Sequence, residues 1–254
     1  MSAIVITGST RGIGFGLAWE FASRGFDIMV NGRTRQACDA AAEALSKEFP
    51  AQAIEGFACD VTDYDQVKSL WRRAKSTFGT IDIWISGAGV AHAARPLWEL
   101  SADEIEQGIR INLIGEMFCA KAAISGMLEQ GHGAVYNISG FGRGGELRPG
   151  ISVYGTSKRA IDHLTKSLAV ELEGMPVIVG QIHPHFVVTD LSRNAWLEQE
   201  RGEEKLAAFE RTHGDSMQNT VRIVADKVLA NKRNGALILR DSPFRAFIRR
   251  HLGR

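Results

Sequence analysis

The sequence predicts an α/β fold: a doubly wound, parallel, seven-stranded sheet in the order 3-2-1-4-5-6-7, with helices on both faces. Three observations carry this. Short apolar runs alternate with helical stretches of ten or more residues along the chain. The first run turns through glycines directly into a helix. No repeat, low-complexity stretch or composition break marks a linker, so one domain is expected over 1–254. Right-handed crossovers then dictate a doubly wound sheet, for which this order is expected.

Each element follows from local pattern. Ala3-Ile4-Val5-Ile6 is a buried strand, and the helix after it contains Phe15-Gly16-Leu17-Ala18. Asp27 to Asn31 is the second strand. An alanine-rich helix, about Gln36 to Phe49, uses the strongest helix former. Ala53 to Ala58 is the third strand. Thr62 or Asp63 caps a helix with Val67, Leu70, Trp71 and Ala74 on one face. Ile81 to Ile85 is the fourth strand, followed by a long helix from about Ser101 to Glu129. Ala134 to Ile138 is the fifth, and Val153 to Glu173 the next long helix. Val177 to Ile182 is the sixth strand, stopped by Pro184. A polar helical stretch covers about Arg193 to Thr212. Thr220 to Asn231 is the last full helix, and Ala236 to Leu239 the seventh strand.

Composition narrows the class. A net charge of +1 over 254 residues gives no field favouring nucleic acid or an acidic membrane. The three cysteines, Cys38, Cys59 and Cys119, form no C-x-x-C pair and suit a reducing compartment. Met1-Ser2 leads straight into the first strand without a secretory leader, and no apolar run is long enough for a bilayer. A cytoplasmic location and no transmembrane segment are expected.

Ligands of such sheets sit at the carboxyl ends of the strands. The stretch Thr7-Gly8-Ser9-Thr10-Arg11-Gly12-Ile13-Gly14 lies there, between strand and helix. Its backbone N–H groups and the positive helix end suit a pyrophosphate, which glycines let approach closely. Its spacing, G-x-x-x-G-x-G, is one residue off the usual dinucleotide fingerprint. Tyr154 and Lys158 are four apart on one helix face. A phenol titrates near ~10, and a cation one turn away is expected to lower that value. Ser139 ends the fifth strand near the same place. Asn112 is ill suited to a helix interior unless it has another task.

Thr7-Gly8-x-x-x-Gly12-x-Gly14, Asp60-Val61, Gly87-Ala88-Gly89, Asn112, Ser139 and Tyr154-x-x-x-Lys158 together resemble the short-chain dehydrogenase/reductase family in its single-domain form. The resemblance implies a nicotinamide cofactor and a reversible carbonyl–alcohol reaction. Tyr154 would be the general acid or base, and Ser139 would polarise the substrate oxygen. Lys158 would bind the nicotinamide ribose, and Asn112 would hold a water in the proton relay. The cofactor contacts expected are Gly8, Ser9, Thr10, Arg11, Gly12, Ile13, Gly14, Arg33, Asp60, Val61, Ser86, Gly87, Ala88, Tyr154, Lys158, Pro184, Val187 and Thr189, the last toward the carboxamide. Segments such as Ile81 to Ile85 and Arg95-Pro96-Leu97 are similar to the chlorophyll(ide) b reductase branch. A 3-oxoacyl thioester reductase is the nearer competitor within the family, and a non-catalytic nucleotide sensor the reading from another class.

Asn31-Gly32-Arg33 offers no carboxylate for an adenosine ribose hydroxyl, and Arg11 and Arg33 suit a 2′-phosphate, so NADP(H) is expected. Two departures from the family pattern stand out. Ser86 replaces an asparagine that links neighbouring strands, and His185 replaces a glycine after Pro184. His183 and His185 also invite a metal reading, which lacks a third nearby ligand; no metal is expected. The substrate pocket is expected from His92, Arg95, Phe141, Arg143 and His185, whose aromatic, apolar and basic groups suit a bulky apolar substrate, with or without an acid. The segment at about 191–217, with Trp196, Leu197, Leu206 and Phe209, reads as a substrate lid or as a solvated surface helix. The tail at about 241–254 is a basic amphipathic helix for the domain's own surface, a subunit contact or a membrane surface. By analogy with the family, the two long helices would pair subunits into a homotetramer or homodimer.

Overall fold

Parallel strands buried on both faces require apolar side chains at successive positions. Strand β1 (Ala3–Ile6) and most of β2 (Asp27–Gly32) and β4 (Ile83–Ser86) meet that condition. A computed structural model describes residues 2–92, 94–197, 202–213 and 216–240, without the side chains at 194–197, 209, 212 and 213. The sheet is completed by β3 (Ile54–Ala58), β5 (Gly133–Ile138), β6 (Val177–His183) and β7 (Ala236–Leu239). All pairings are parallel and the order is β3-β2-β1-β4-β5-β6-β7, as expected.

Alternate residues of each strand serve opposite layers. Ile4, Ile6, Ile28, Val30, Ile85 and Ile182 pack under helices α1 (Gly12–Ala22) and α2 (Arg35–Glu48) and the later helix Met217–Ala230. Val5, Met29, Trp84, Val135 and Val179 pack on the other side against α3 (Tyr64–Phe78) and the long helix beyond β4. Asp63 caps α3 by accepting from the amides of Asp65 and Gln66.

The long helix is not continuous. It comprises α4 (Ala102–Ile109), a π turn at Arg110–Ile114, and α5 (Gly115–Gln130). A single rod expected from Ser101 to Glu129 is thus corrected by one wider turn that contains Asn112. Residues Ala102–Gln130 are long and apolar enough to cross a membrane by length and composition, yet 56% of the most apolar window is buried. Its packing against α3 and β5 makes it a core helix.

Helix α6 (Ser152–Glu171) carries Tyr154 and Lys158. Beyond β6 come α7 (Asp190–Leu197) and α8 (Gly202–His213), then α9 (Met217–Ala230). The expected polar helix is therefore two helices. Leu206 of α8 is buried against Ala91, Phe186 and Val188, so this segment covers loops at the carboxyl edge of the sheet. The side chains of Trp196, Leu197 and Phe209, and the tail 241–254, lie outside the described residues.

Candidate active site

The glycine loop is placed by contacts to the loop after β4. Thr7 Oγ1 accepts from the amides of Gly87 and Ala88 at 3.0 and 3.4 Å. Gly8 has φ +66°, and a Cβ on it would lie 2.7 Å from Ala88 Cα. Only glycine serves there. Gly12, also left-handed at φ +59°, faces Thr189 across a gap that a Cβ would enter. Helix α1 starts at Arg11 without a side-chain cap and with no acid in its first turn, so its positive end is unneutralised. This loop fits the phosphates of a dinucleotide.

The neighbours of the loop divide into two kinds. Some are committed to the fold. Ser9 is fully buried, donates to the Ile6 carbonyl and accepts from the Asn31 amide. Asn31 in turn donates to the carbonyls of Phe57 and Cys59. Asp60 accepts from the amide and hydroxyl of Thr62, and Val61 packs against Gly115. Ser86 is buried; its hydroxyl accepts from the Trp84 indole of its own strand at 3.2 Å and also meets the Cys119 thiol of α5. Others face outward. Thr10 lies against Gly32, and Arg33 is exposed at the end of β2, where no carboxylate stands. Arg11 is exposed but sits 3.6 Å from Asp190. Ile13 packs on the core of the α1 side; Pro184 and Val187 are buried in the loop after β6. Thr189 Oγ1 accepts from the Ser192 amide at the start of α7.

The second half of the site lies on α6 and β5. The Asn112 side chain makes a reciprocal pair with Val90, accepting from its amide at 2.8 Å and donating to its carbonyl at 2.9 Å. It also donates to Ser157 Oγ, which donates to the Tyr154 carbonyl. Asn112 therefore ties the loop after β4 to α6, the task that its odd position in a helix calls for; π turns recur at functional sites. The position a Gly89 Cβ would take is 3.4 Å from Asn112 Oδ1 and 4.0 Å from Lys158 Nζ. A Cβ on Gly140 would collide with the Tyr154 hydroxyl, which places that hydroxyl against the residue following Ser139. Asn112, Ser139, Tyr154 and Lys158 are thus brought together beside the glycine loop.

The electrostatics differ from expectation. Tyr154 was expected to be lowered by Lys158; burial of the phenol instead pushes it up to about 12. The cause is visible. Lys158 Nζ donates to the Ile138 carbonyl at 2.9 Å and stands 5.8 Å from the Tyr154 ring centre. Lys158 is buried, which lowers its pKa, while the charge of Glu116 opposes that shift. Glu116, on the first turn of α5, is only 3% exposed, and its Oε1 has no hydrogen-bond partner. Burial raises its pKa. Sequence reading missed Glu116. Its signal was an acid at helical spacing from Cys119, Ala120 and Ala123, on the buried face.

The pocket residues are only partly available. A cavity of about 50 Å³ lies between Asn112, Val90, His92, Glu104, Gln107 and Tyr154, large enough for water but not for a substrate. Arg95 is paired with Glu104 and donates to the Glu99 carbonyl. Arg143 is paired with the buried Asp162, which also holds Lys166. Each guanidinium is thus already engaged with one carboxylate, while its Nε has no partner. Phe141 is half-buried in the loop that packs on Gly155. His185 is left-handed, φ +59°, and packs edge-on to His183 with ring centres 4.9 Å apart. His183 Nδ1 lies 3.2 Å from Ser139 Oγ. Sequence reading had noted His183 only as a possible metal ligand. Among the described residues no cluster of three or more His, Cys, Asp or Glu side chains forms.

A family model described as short chain dehydrogenase matches residues 2–200. The chloroplastic chlorophyll(ide) b reductase of Oryza sativa subsp. japonica is 39% identical over 193 residues, covering 74% of this chain and 56% of that protein. Its Arabidopsis thaliana counterpart is 37% identical over 193 residues, covering 74% and 55%. The chain thus spans about half the length of these relatives. The 3-oxoacyl-(acyl-carrier-protein) reductase of Staphylococcus aureus is 32% identical over 190 residues, 74% of this chain and 75% of that one. The solved gluconate 5-dehydrogenase of Burkholderia cenocepacia, in complex with NADP and tartrate, superposes with a TM-score of 0.81 at 26% identity, covering 94% and 92%. Levodione reductase gives 0.86 at 23% identity, covering 96% and 98%, a likeness of fold. The expected cytoplasmic location is overturned by the chlorophyll(ide) b reductases, which are chloroplastic proteins.

Proposed function

The chain belongs to the short-chain dehydrogenase family, a family of oxidoreductases, and from that premise we propose that it is an NADP(H)-dependent carbonyl reductase with Tyr154 as proton donor. The observation that carries this reading is the Tyr154 hydroxyl lying against Gly140, beside Ser139 and one helical turn from Lys158. The glycine loop, Arg11 and Arg33 hold the pyrophosphate and 2′-phosphate. The bound NADPH supplies the hydride. Ser139 donates a hydrogen bond to the substrate oxygen, and Tyr154 gives it a proton. With its pKa raised by burial, the phenol is protonated at neutral pH, the form a proton donor needs. Lys158 holds the ribose, and the cavity beside Asn112 accepts the water of the proton path. The matching 26%-identical neighbour carries NADP, which supports the cofactor choice.

For the substrate, a bulky apolar carbonyl compound of the kind named by the chlorophyll(ide) b reductases is the better reading. Trp98 and Leu147 are 85% and 94% exposed on loops that meet where Gly150 packs against Ala94, and Arg95 and Arg143 of the same loops are already paired. The same relatives support a plastid setting. A 3-oxoacyl thioester is the second reading, favoured by the bacterial relative. Met117 on α5 and Val170 on α6 are exposed and suit pairing of subunits.

A panel of carbonyl substrates followed by NADPH absorbance tests the proposal. Tyr154→Phe is expected to lose about 10²- to 10⁴-fold in kcat while still binding NADPH. A protein that binds NADPH and reduces nothing on the panel is a sensor, and the catalytic reading is then wrong.

A further inference from the structure

Ser139 Oγ has one proton and two neighbours that could take it. The Ile182 carbonyl oxygen is 3.0 Å away and His183 Nδ1 is 3.2 Å away. A carbonyl oxygen can only accept, whereas the nitrogens of a neutral imidazole can play either part. The two contacts are satisfied together when the serine donates to Ile182 and the histidine donates to the serine. We propose that His183 is a positioning residue: its Nδ1–H donates to Ser139 Oγ and so orients and strengthens the serine hydroxyl as a donor to the substrate oxygen. This rests on the reading of Ser139 given under the proposed function.

The surroundings of His183 support that role. The residue ends β6, its ring is held edge-on by His185 at an interplanar angle of 62°, and Pro184 between them is buried. The charged groups facing it are Arg143 and Lys158, with His185, which disfavour an imidazolium, and Glu146, which favours one. Burial outweighs Glu146, so the ring stays neutral and has a single N–H to place. When the substrate oxygen arrives, the serine proton turns from Ile182 toward it, and the His183 N–H still fills the serine lone pair. A hydroxyl that accepts such a bond is a better donor in its own turn. The histidine supplies no proton to the reaction and is not consumed.

Two measurements test this. In the first, kcat and KM are taken for His183→Ala and His183→Asn, each in wild-type and Ser139→Ala backgrounds. His183→Ala is expected to lower kcat on the order of tenfold with little change in the KM for NADPH, and His183→Asn, whose amide N–H stands near the place of Nδ1–H, to restore most of it. In the Ser139→Ala background the same substitution should cost nothing further. An equal loss in both backgrounds, no loss at all, or no rescue by asparagine overturns the proposal. The second measurement needs no turnover. Nitrogen NMR of the histidine-labelled protein should show His183 protonated at Nδ1, with a shift that moves in Ser139→Ala. A proton on Nε2 instead overturns the proposal whether or not a substrate is known. A chain that reduces nothing, with Nδ1 protonated, sinks the proposed function and leaves the hydrogen bond standing.

Discussion

The two ends of the crevice are built from different material. At the β1–β4 end the ligand surface is backbone: Gly8, Gly12 and the Gly87–Gly89 loop, held by side chains such as Thr7, Ser9 and Asn31 that point into the fold. At the β5–β6 end it is side chain: Tyr154, Ser139 and His183, positioned by Gly140, Ile182 and Lys158. The first end recognises a shape common to many nucleotides and gains it from close packing. On the proposed function, the second end would set chemistry and depend on where each proton rests. Substitutions should therefore damage fold and cofactor binding together at the first end, and turnover alone at the second.

Gly8→Ala tests this hardest. A Cβ placed 2.7 Å from Ala88 Cα at a positive φ has no room and a poor backbone conformation. It should cost about 2–4 kcal/mol of stability and abolish NADPH binding, read by thermal unfolding with and without cofactor. A variant that binds NADPH normally would break the contrast. Gly140→Ala should act at the other end only. Its Cβ displaces the Tyr154 hydroxyl, so kcat is expected to fall about 100-fold with cofactor affinity kept. Arg33→Asp sharpens the comparison further. A carboxylate at the end of β2 should move the ratio of kcat/KM from NADPH toward NADH by about tenfold or more and leave kcat with saturating cofactor unchanged. A ratio that does not move means the exposed arginine makes no contact with the 2′-phosphate.

The smallest effect concerns pH. Burial with His185 holds the His183 imidazole at about 4, below the ordinary histidine value of about 6.5. The unfolded chain therefore binds the proton first as pH falls. Stability contributed by the neutral ring is present above pH ~6.5 and lost progressively down to pH ~4, by about 2 kcal/mol once partial exposure is allowed for. Denaturant titrations of the wild type and His183→Asn across that window measure it. The wild type should lose stability more steeply.

The fold was legible because its signals are local. Apolar runs, helix formers and turn residues place the strands within a residue or two, and the crossover rule leaves only a few doubly wound orders. The glycine loop was legible for the same reason, since spacing alone decides where a Cβ is forbidden. Three features were not. The spacing of Tyr154 and Lys158 makes them neighbours, but it does not say that the ammonium turns to the Ile138 carbonyl or that the phenol loses its water. A list of arginines gives charge, but not that Arg95 and Arg143 already face Glu104 and Asp162. His183 and His185 were visible as a pair, yet their relation to Ser139 runs across two strands distant in sequence, through the register Ile138↔Ile182. Contacts across that span belong to tertiary structure.

The wider turn at Arg110–Ile114 carries a last lesson. One residue of an ordinary helix turns the chain by about 100°. Removing a single residue here would give a smoother rod, better hydrogen-bonded by every local criterion. It would also rotate α4, which packs on α6, relative to α5, which packs on α3 and β5, so the irregular thread is what lets one screw engage two different nuts.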